Sequence, residues 1–524
     1  MKIIKYKNTL FIVLFIIVIF IYKLQISIKY PPSSLHQWRQ ADALSMTKNY
    51  FEERMNIFDP KLHFQGSVQG KAVGEFPGLY YLNACIWKIT GENYLSFRLL
   101  NLIIVFIGLF SLFKLSFLIL KDLFLALFIP FFLFSSPLFG YYSNNFLVNL
   151  PAVCLMFTGW YYFYRYHVEK SNKTIIISSL IFSLGVLLRP TMLMGILPIY
   201  FILFLEFINV LGRKIINKSK YNILFLLTPL FLLLSWIFIS KNYNKKNGSY
   251  YFLTTFRPYW ETINKLDVWK GFIKVVLPEL YNSYIIFFIL LSFLTIIVFW
   301  KKANKYLLIF TVCIFLEILA FVLLWYNNLS VHDYYLIDFY LFIPILFITV
   351  FTLLQKNKSK LIESPFFLKI FLLLVLVVSF CFGTAKTRIK YFDQNTFVAK
   401  NFISDDENKF WDWQKWNYKN NFKAFETIRP YIRKIGIKRN DLVLSIPDLS
   451  PNITLYFMDV KGYTSLYIET IPYKTQIEES IKKGVKYLII NDHSLYSDTT
   501  ISPYLRNKIG TFENIDIYLL KKKP

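Results

Sequence analysis

The chain has 524 residues, of which 55% are hydrophobic, 20% aromatic and only 17% charged. An apolar excess of this size excludes a disordered chain, and sparse Gly and Pro exclude collagen-like or linker-rich chains, so a polytopic membrane protein remains. A net charge of +27 would suggest a nucleic-acid partner in a soluble protein, but membrane chains collect basic residues in cytoplasmic loops, and no nucleic acid is inferred.

A basic start (Lys2, Lys5, Lys7) leads into an apolar run at 9–26 with no small-residue cleavage site behind it, as expected of an uncleaved first span. Ten further runs of spanning length lie near 98–119, 123–141, 145–165, 173–189, 191–209, 221–240, 284–300, 305–325, 336–354 and 366–383, which makes about eleven spans. With the N-terminus inside, the inner segments carry 17 Lys and Arg residues, whereas the short outer turns at 140–144, 189–190 and 326–335 carry only Arg189. That asymmetry predicts an inside N-terminus, and an odd span count then puts the C-terminus outside.

Three long segments fall on the outer side. The expected division is a transmembrane domain over 1–383, including a first outer loop at 27–97 with juxtamembrane helices and a second outer segment at 241–283, followed by an extracytoplasmic α/β domain over 384–524. In that last domain the pattern predicts a helix over 422–436 ending at Gly436, a helix over 476–483, and strands at 441–446, 454–457, 486–490 and 515–520. Trp411, Trp413 and Trp416 suit a collar in the headgroup layer. The four cysteines (Cys85, Cys154, Cys313, Cys381) form no CxxC, so neither a disulfide framework nor a cysteine metal site is read. No internal repeat is visible, which weighs against transporters built from duplicated halves.

Chemistry concentrates in the first outer loop. Ser34 to Glu53 suits a helix lying on the membrane surface, in which Arg39 stands one turn before Asp42 on the same face. A carboxylate beside a guanidinium is expected to stay ionised, and a positioned carboxylate can accept a proton from an attacking hydroxyl. The bland alternative is a surface Asp–Arg pair of little energetic weight. Next comes Gly74-Glu75-Phe76-Pro77-Gly78-Leu79-Tyr80-Tyr81, preceded by Lys71 and followed by Arg98. Glu75 is either a second acid or substrate ligand, or simply an acid at a helix start, and Arg98 is either a ligand or an interfacial anchor. Arg189, before Pro190, and His332-Asp333-Tyr334-Tyr335, in the turn before the tenth span, are further candidates. Their alternatives are snorkelling and interface anchoring. No spacing motif supports a metal site; a divalent ion on His36, His63, Asp42 and Glu75 is conceivable but unsupported.

The order H-x-W-R-Q-A-D (His36 to Asp42), then G-E-F-P-x-x-Y-Y (Gly74 to Tyr81), then R-L at Arg98, behind an uncleaved first span, resembles the C-type (GT-C) membrane glycosyltransferases. Within them it is most similar to the branch holding protein O-mannosyltransferases and the lipid A aminoarabinose transferase, a glycosyltransferase family 39-like group. The likeness is specific over about residues 34–100 and otherwise rests on layout. It implies a catalytic base at Asp42, a polyprenyl-phosphate monosaccharide donor, a lipid, glycan or protein acceptor, and a bacterial inner-membrane location with the C-terminal domain outside. Arg39, Glu75, Lys71, Arg98, Arg189, His332, Tyr334 and Tyr335 are the candidate substrate-binding residues. A Lys-Pro-Pro segment whose lysine meets the lipid phosphate in the aminoarabinose branch is replaced here by Glu75-Phe76-Pro77, so another basic residue has to supply that charge. The implied activity is inverting transfer of one hexosyl or pentosyl group; en bloc oligosaccharide transfer is disfavoured because Trp411-Asp412-Trp413-Gln414 does not match the W-W-D-x-G signature of that group. The competing reading from another class is a transporter or flippase of a lipid-linked envelope precursor.

Overall fold

A computed structural model describes residues 6–212, 220–252, 256–357, 365–392, 397–466, 468 and 470–520. The chain divides into two compact units: one made of Met1–Ile28, Arg98–Ile237 and Thr254–Ser404, the other of Lys29–Phe97, Phe238–Leu253 and Asp405–Pro524. The division therefore does not fall at residue 383. The C-terminal segment shares a unit with most of the first outer loop and with a short piece of the second.

The first unit is helical because its apolar runs have nowhere else to satisfy their backbone groups. Among the described residues six helices are long and apolar enough to cross a membrane: Tyr94–Leu120, Pro190–Phe207, Leu224–Lys246, Lys305–Leu324, Asp333–Lys356 and Phe366–Ile389. The bent pair Lys265–Leu280 and Ser283–Val298 makes a seventh if counted as one span. The remaining apolar runs give shorter helices at Lys7–Tyr22, Leu123–Phe134 and Asn172–Leu188, and a less apolar one at Asn149–Glu169. The chain is a multi-pass membrane protein.

Two devices hold this unit together. Close helix approach is one: a Cβ on Gly108 would lie 2.3 Å from Cys154 Cβ and 2.6 Å from its Cα, so only glycine fits where the helices at 94–120 and 149–169 touch. The other is capping without water. The helix Leu123–Phe134 ends among apolar neighbours, and its last carbonyls accept from Tyr22 Oη at Phe134 (2.7 Å), and from Tyr281 Oη (2.9 Å) and Ser135 Oγ (2.7 Å) at Phe132. Phe11 meets Phe106, Phe110, Phe113 and Phe131 at ring separations of 5.2–6.1 Å, a core of aromatic edges and faces.

The second unit is α/β. Its five strands are β1 (Leu442–Ile446), β2 (Lys461–Thr464), β3 (Tyr487–Ile490), β4 (Lys508–Phe512) and β5 (Ile515–Leu519), in the order β2-β1-β3-β5-β4. The first three are parallel, with Leu444 opposite Tyr463 and Leu488, and β5 runs antiparallel to β3. Leu444, Ile446, Leu488 and Ile490 are buried with Ile477 from the helix Tyr473–Lys482, as central parallel strands require.

Three expectations here need correction. The run at 454–457 is not a strand but part of a helix, Ile453–Met458, every residue of which is buried. A short run of branched and aromatic residues buried on all sides has no periodicity to separate the two states. Asp448 starts this helix by accepting from Ser450 N (2.8 Å), Thr454 N (3.0 Å) and Thr454 Oγ1 (2.7 Å). The helix expected over 422–436 is broken into irregular turns and a short helix at Arg429–Lys434, which stops at Gly436 with φ +92°. Strands β2 and β4 were not expected at all; each contains a glycine and a lysine, which read as turn and surface.

The edge of β2 is covered by the first outer loop. Phe64 pairs in parallel with Gly462; Gly462 N donates to His63 O (3.1 Å) and Gln65 N donates to Gly462 O (2.8 Å). A loop from residue 64 is thus locked in register with a strand at residue 462, and this register builds the site.

Candidate active site

Helix α1 (Gln37–Glu52) contains no glycine or proline and begins after His36, whose φ of 52° turns the chain into it. All residues from Gln40 to Tyr50 are buried, although half of them are polar. Such burial is tolerable only because the polar groups find partners: Gln40 Nε2 donates to Ser33 O (2.8 Å), Asn49 Nδ2 to Ser45 O (2.8 Å), and Lys48 Nζ to Glu92 Oε2 (2.7 Å).

Asp42 sits in the middle of this helix, 2% exposed. Asn452 Nδ2 donates to its Oδ1 at 2.8 Å, and the Tyr251 hydroxyl makes a short hydrogen bond to its Oδ2. The orientation of the Asn452 amide is fixed independently. Its Oδ1 accepts from Phe64 N at 3.0 Å, and a backbone N–H can only donate, so the amide nitrogen faces Asp42.

Glu75 precedes helix α2 (Gly78–Thr90), at the end where backbone N–H dipoles favour an anion. Arg39 Nη2 lies 2.9 Å from both Glu75 carboxylate oxygens, while Arg39 Nη1 stands 4.0 Å from Asp42 Oδ2. Tyr80 Oη adds a 2.6 Å hydrogen bond to Glu75, and the Arg39 guanidinium lies 5.3 Å from the Phe252 ring. Arg39 therefore serves mainly Glu75. The two acids separate accordingly. Burial pushes the Asp42 carboxyl up to about 7, only partly opposed by Arg39, Tyr251 and Asn452, and Glu75 adds to the rise. Glu75 meets the same burial, but Arg39 and the Tyr80 hydroxyl outweigh it and hold the carboxyl below its ordinary value. The expectation that Arg39 keeps Asp42 ionised is thus corrected: the guanidinium is spent on the neighbour.

Behind Asp42 lies a second buried set. His63 Nδ1 is 2.8 Å from Ser45 Oγ and its Nε2 is 3.2 Å from Asp459 Oδ1. Burial lowers the imidazole to about 3, so it is neutral. Asp459 also receives Arg439 Nε at 2.9 Å, with Arg433 and Lys48 beside it at 3.4 and 3.8 Å. Burial opposes its charge, but the His63 hydrogen bond and these cations hold it well below the carboxylate range. Both ring nitrogens of His63 are engaged, and among the described residues no group of three or more His, Cys, Asp or Glu side chains could hold a metal ion.

The other candidates are placed differently. Lys71 is in the same unit but pairs with Asp59 (3.2 Å), not with Glu75. Arg98, fully buried in the first unit, donates to Asn144 O (2.8 Å) and lies 4.2 Å from the Phe146 ring. Arg189 grips Asp338 through Nε (2.7 Å) and Nη2 (3.0 Å) and lies 5.7 Å from the Tyr335 ring. The rings of His332, Tyr334 and Tyr335 lie 5.0–5.9 Å apart, so the first unit gathers four of the candidates into one cluster. Tyr251, Asn452 and Tyr80 were not singled out from the sequence. Tyr80 stood inside a motif already under discussion; the other two carry no local signal, because only the docking of distant segments gives them their role.

Residues 75–244 match the family described as dolichyl-phosphate-mannose-protein mannosyltransferase. The match begins at Glu75, so Asp42 lies before it. Among solved structures the chain is similar to ArnT from Cupriavidus metallidurans bound to undecaprenyl phosphate, with a TM-score of 0.57 and 9% identity over 97% of both chains. The same protein in the apo state gives 0.53 and 9% over 98% of both. The oligosaccharyltransferase of Archaeoglobus fulgidus in the apo form gives 0.52 and 13%, over 93% of this chain and 69% of that one. No curated protein matches the chain in sequence. The chain thus shares the fold of these structures, and residues 75–244 resemble the mannosyltransferase family.

Proposed function

We propose that this protein is an inverting glycosyltransferase that moves a single sugar from a polyprenyl-phosphate donor to an acceptor hydroxyl on the outer face of a bacterial inner membrane, with its N-terminus inside and the α/β unit outside. The observation that carries this reading is Asp42: a buried carboxyl, held by a phenol and an amide, with its titration near neutral pH. A general base works best when its pKa lies near the operating pH, and Asp42 meets that condition where a surface aspartate would not.

In this reading the acceptor hydroxyl gives its proton to Asp42 as its oxygen forms a bond to the anomeric carbon. The bond from that carbon to the phosphate oxygen breaks on the opposite face, and the electron pair leaves with the polyprenyl phosphate. A phosphate leaving group needs no general acid at neutral pH; it needs positive charge. Glu75 keeps Arg39 oriented, and so sets the field in which Asp42 titrates. Likeness to a structure bound to undecaprenyl phosphate supports a polyprenyl-linked donor.

The test is transfer in detergent or liposomes, with a panel of polyprenyl-phosphate sugars and a cell-envelope extract as acceptor. Wild type is expected to release polyprenyl phosphate and Asp42→Asn is not. Equal release by both would remove Asp42 as base, and no release from folded wild-type protein with any donor would overturn the donor class.

A further inference from the structure

The buried set behind Asp42 forms a continuous line. Asn452 donates to Asp42 and its Oδ1 accepts from Phe64 N at 3.0 Å; the preceding residue, His63, donates its own backbone N–H to Ser45 Oγ at 2.9 Å, and its ring joins Ser45 to Asp459. Asn452 and Asp459 flank the six-residue helix Ile453–Met458, the latter at φ 53°. One end of this helix thus holds the carboxylate, and the other holds the histidine that meets Ser45, one turn along the same face of α1. All of these side chains are buried.

Polarity along the line is set by donors that cannot be reversed. A neutral His63 that donates from Nε2 to Asp459 must accept at Nδ1, so the Ser45 proton points to His63. The Ser45 oxygen then faces the His63 backbone N–H, and Asn452 Oδ1 takes Phe64 N. Every member is committed, which leaves the Asn452 amide one orientation, towards Asp42.

We propose that Asn452 is a positioning residue for the base, locked by the Phe64 backbone N–H of a loop that Ser45, His63 and Asp459 hold in place, so that the C-terminal segment is part of the catalytic apparatus rather than only a cap or acceptor-selecting module. The inference rests on the reading of Asp42 as base. The titratable and charged groups facing Asp42 are Arg39, Glu75, Tyr80 and Tyr251; Asn452 is the neutral donor among them. Removing it takes a hydrogen bond from the charged form of Asp42 and frees the carboxylate to rotate.

The experiment compares pH–rate profiles for polyprenyl-phosphate release by wild type, Asp42→Asn, Asn452→Ala and Ser45→Ala, each checked for a cooperative melt. Asn452→Ala is expected to lower kcat by about tenfold, leave KM for the donor unchanged, and move the acidic limb to higher pH. Ser45→Ala, which leaves both donors on Asp42 in place, is expected to shift the limb in the same direction by less, and it decides the matter if Asn452→Ala does not fold. Wild-type kcat and an unmoved limb in either folded variant, with Asp42→Asn inactive, would overturn the positioning role alone. An active Asp42→Asn would overturn the base and this inference with it.

Discussion

Asn452 donates its amide to Asp42 at 2.8 Å across 410 residues of chain, and Phe64 N, at 3.0 Å, prevents that amide from facing the other way. The carboxyl of Asp42 is therefore held by a segment far from it in sequence. Its charge state follows from that enclosure: an acid buried among one amide, one phenol and a guanidinium already committed elsewhere titrates near neutrality.

The first prediction is a rate that rises with pH. If Asp42 is the base as proposed, transfer needs its unprotonated form, and because the carboxyl is raised to about 7, activity should climb through a midpoint near that value. His63, lowered to about 3, adds no limb in this window. Initial rates of polyprenyl-phosphate release between pH 5 and 9 test this; a rate already at its plateau at pH 5 would exclude a base in this environment.

The second concerns stability. Because the folded-state pKa of Asp42 is raised from 3.8 to about 7, the fold favours the neutral form, and wild type loses stability as pH rises between those values. Asn at this position cannot ionise. Asp42→Asn should therefore gain on wild type by about 3 kcal/mol between pH 5 and pH 8, at the expense of activity. Denaturation at the two pH values measures the gap, and a constant difference would contradict it.

Much of this site could be anticipated, and the missing parts share one cause. Asp42, Arg39 and Glu75 lie within a turn of helix or inside a recognisable motif, so local spacing exposed them. The relation among them did not follow: Arg39 is three residues from Asp42 yet nearer in space to Glu75, 36 residues away. Asn452 belongs to a segment docked by the pairing of Phe64 with Gly462, and Tyr251 to one tied to the first loop by Val68 N donating to Asn247 O and Asn244 Nδ2 donating to Val73 O. In the fold, strands such as Leu442–Ile446 were legible from their apolar runs, whereas the helix Ile453–Met458 read as a strand because burial on every side erases periodicity.

The third prediction uses the shared guanidinium. In Glu75→Gln, Arg39 loses its anionic partner and Asp42 loses a like charge, both of which favour ionised Asp42. The acidic limb should move to lower pH. In Arg39→Met, Asp42 faces the Glu75 charge without relief, and the limb should move up, with a loss of stability of about 3 kcal/mol from the orphaned buried carboxylate. Opposite displacements from two neighbouring substitutions are the diagnostic; the same direction from both would show that Arg39 does not mediate between the acids.

The fourth concerns the lipid phosphate. Arg189 uses Nε and Nη2 for Asp338, with Tyr335 beside it, and a fork held this firmly presents its remaining edge in a fixed direction. If this cluster meets the donor phosphate, Arg189→Lys, which keeps the charge but not the fork, should weaken binding of undecaprenyl phosphate by about tenfold. Binding to the purified protein reads this directly. Unchanged affinity, with the fold intact, would assign the Arg189–Asp338 pair to helix packing.

The last prediction tests whether the sheet edge sets the site. A Cβ on Gly462 would fall 2.0 Å from the Val443 carbonyl oxygen, inside any allowed contact, so Gly462→Ala must push β2 away from β1 or distort the pairing with Phe64. Overpacking of this kind costs about 1–3 kcal/mol, which a lowered melting temperature will report. The activity consequence is more informative than the stability one. His63 and Phe64 hold Ser45 and Asn452 through their backbone N–H groups, so a displaced edge moves the donors on Asp42 while leaving Arg39, Glu75 and Tyr80 where they are. Folded Gly462→Ala should therefore show a reduced kcat and an acidic limb moved in the direction of Asn452→Ala. A variant that melts earlier but keeps the wild-type kcat and pH profile would show that the strand pairing supports the fold without setting the base.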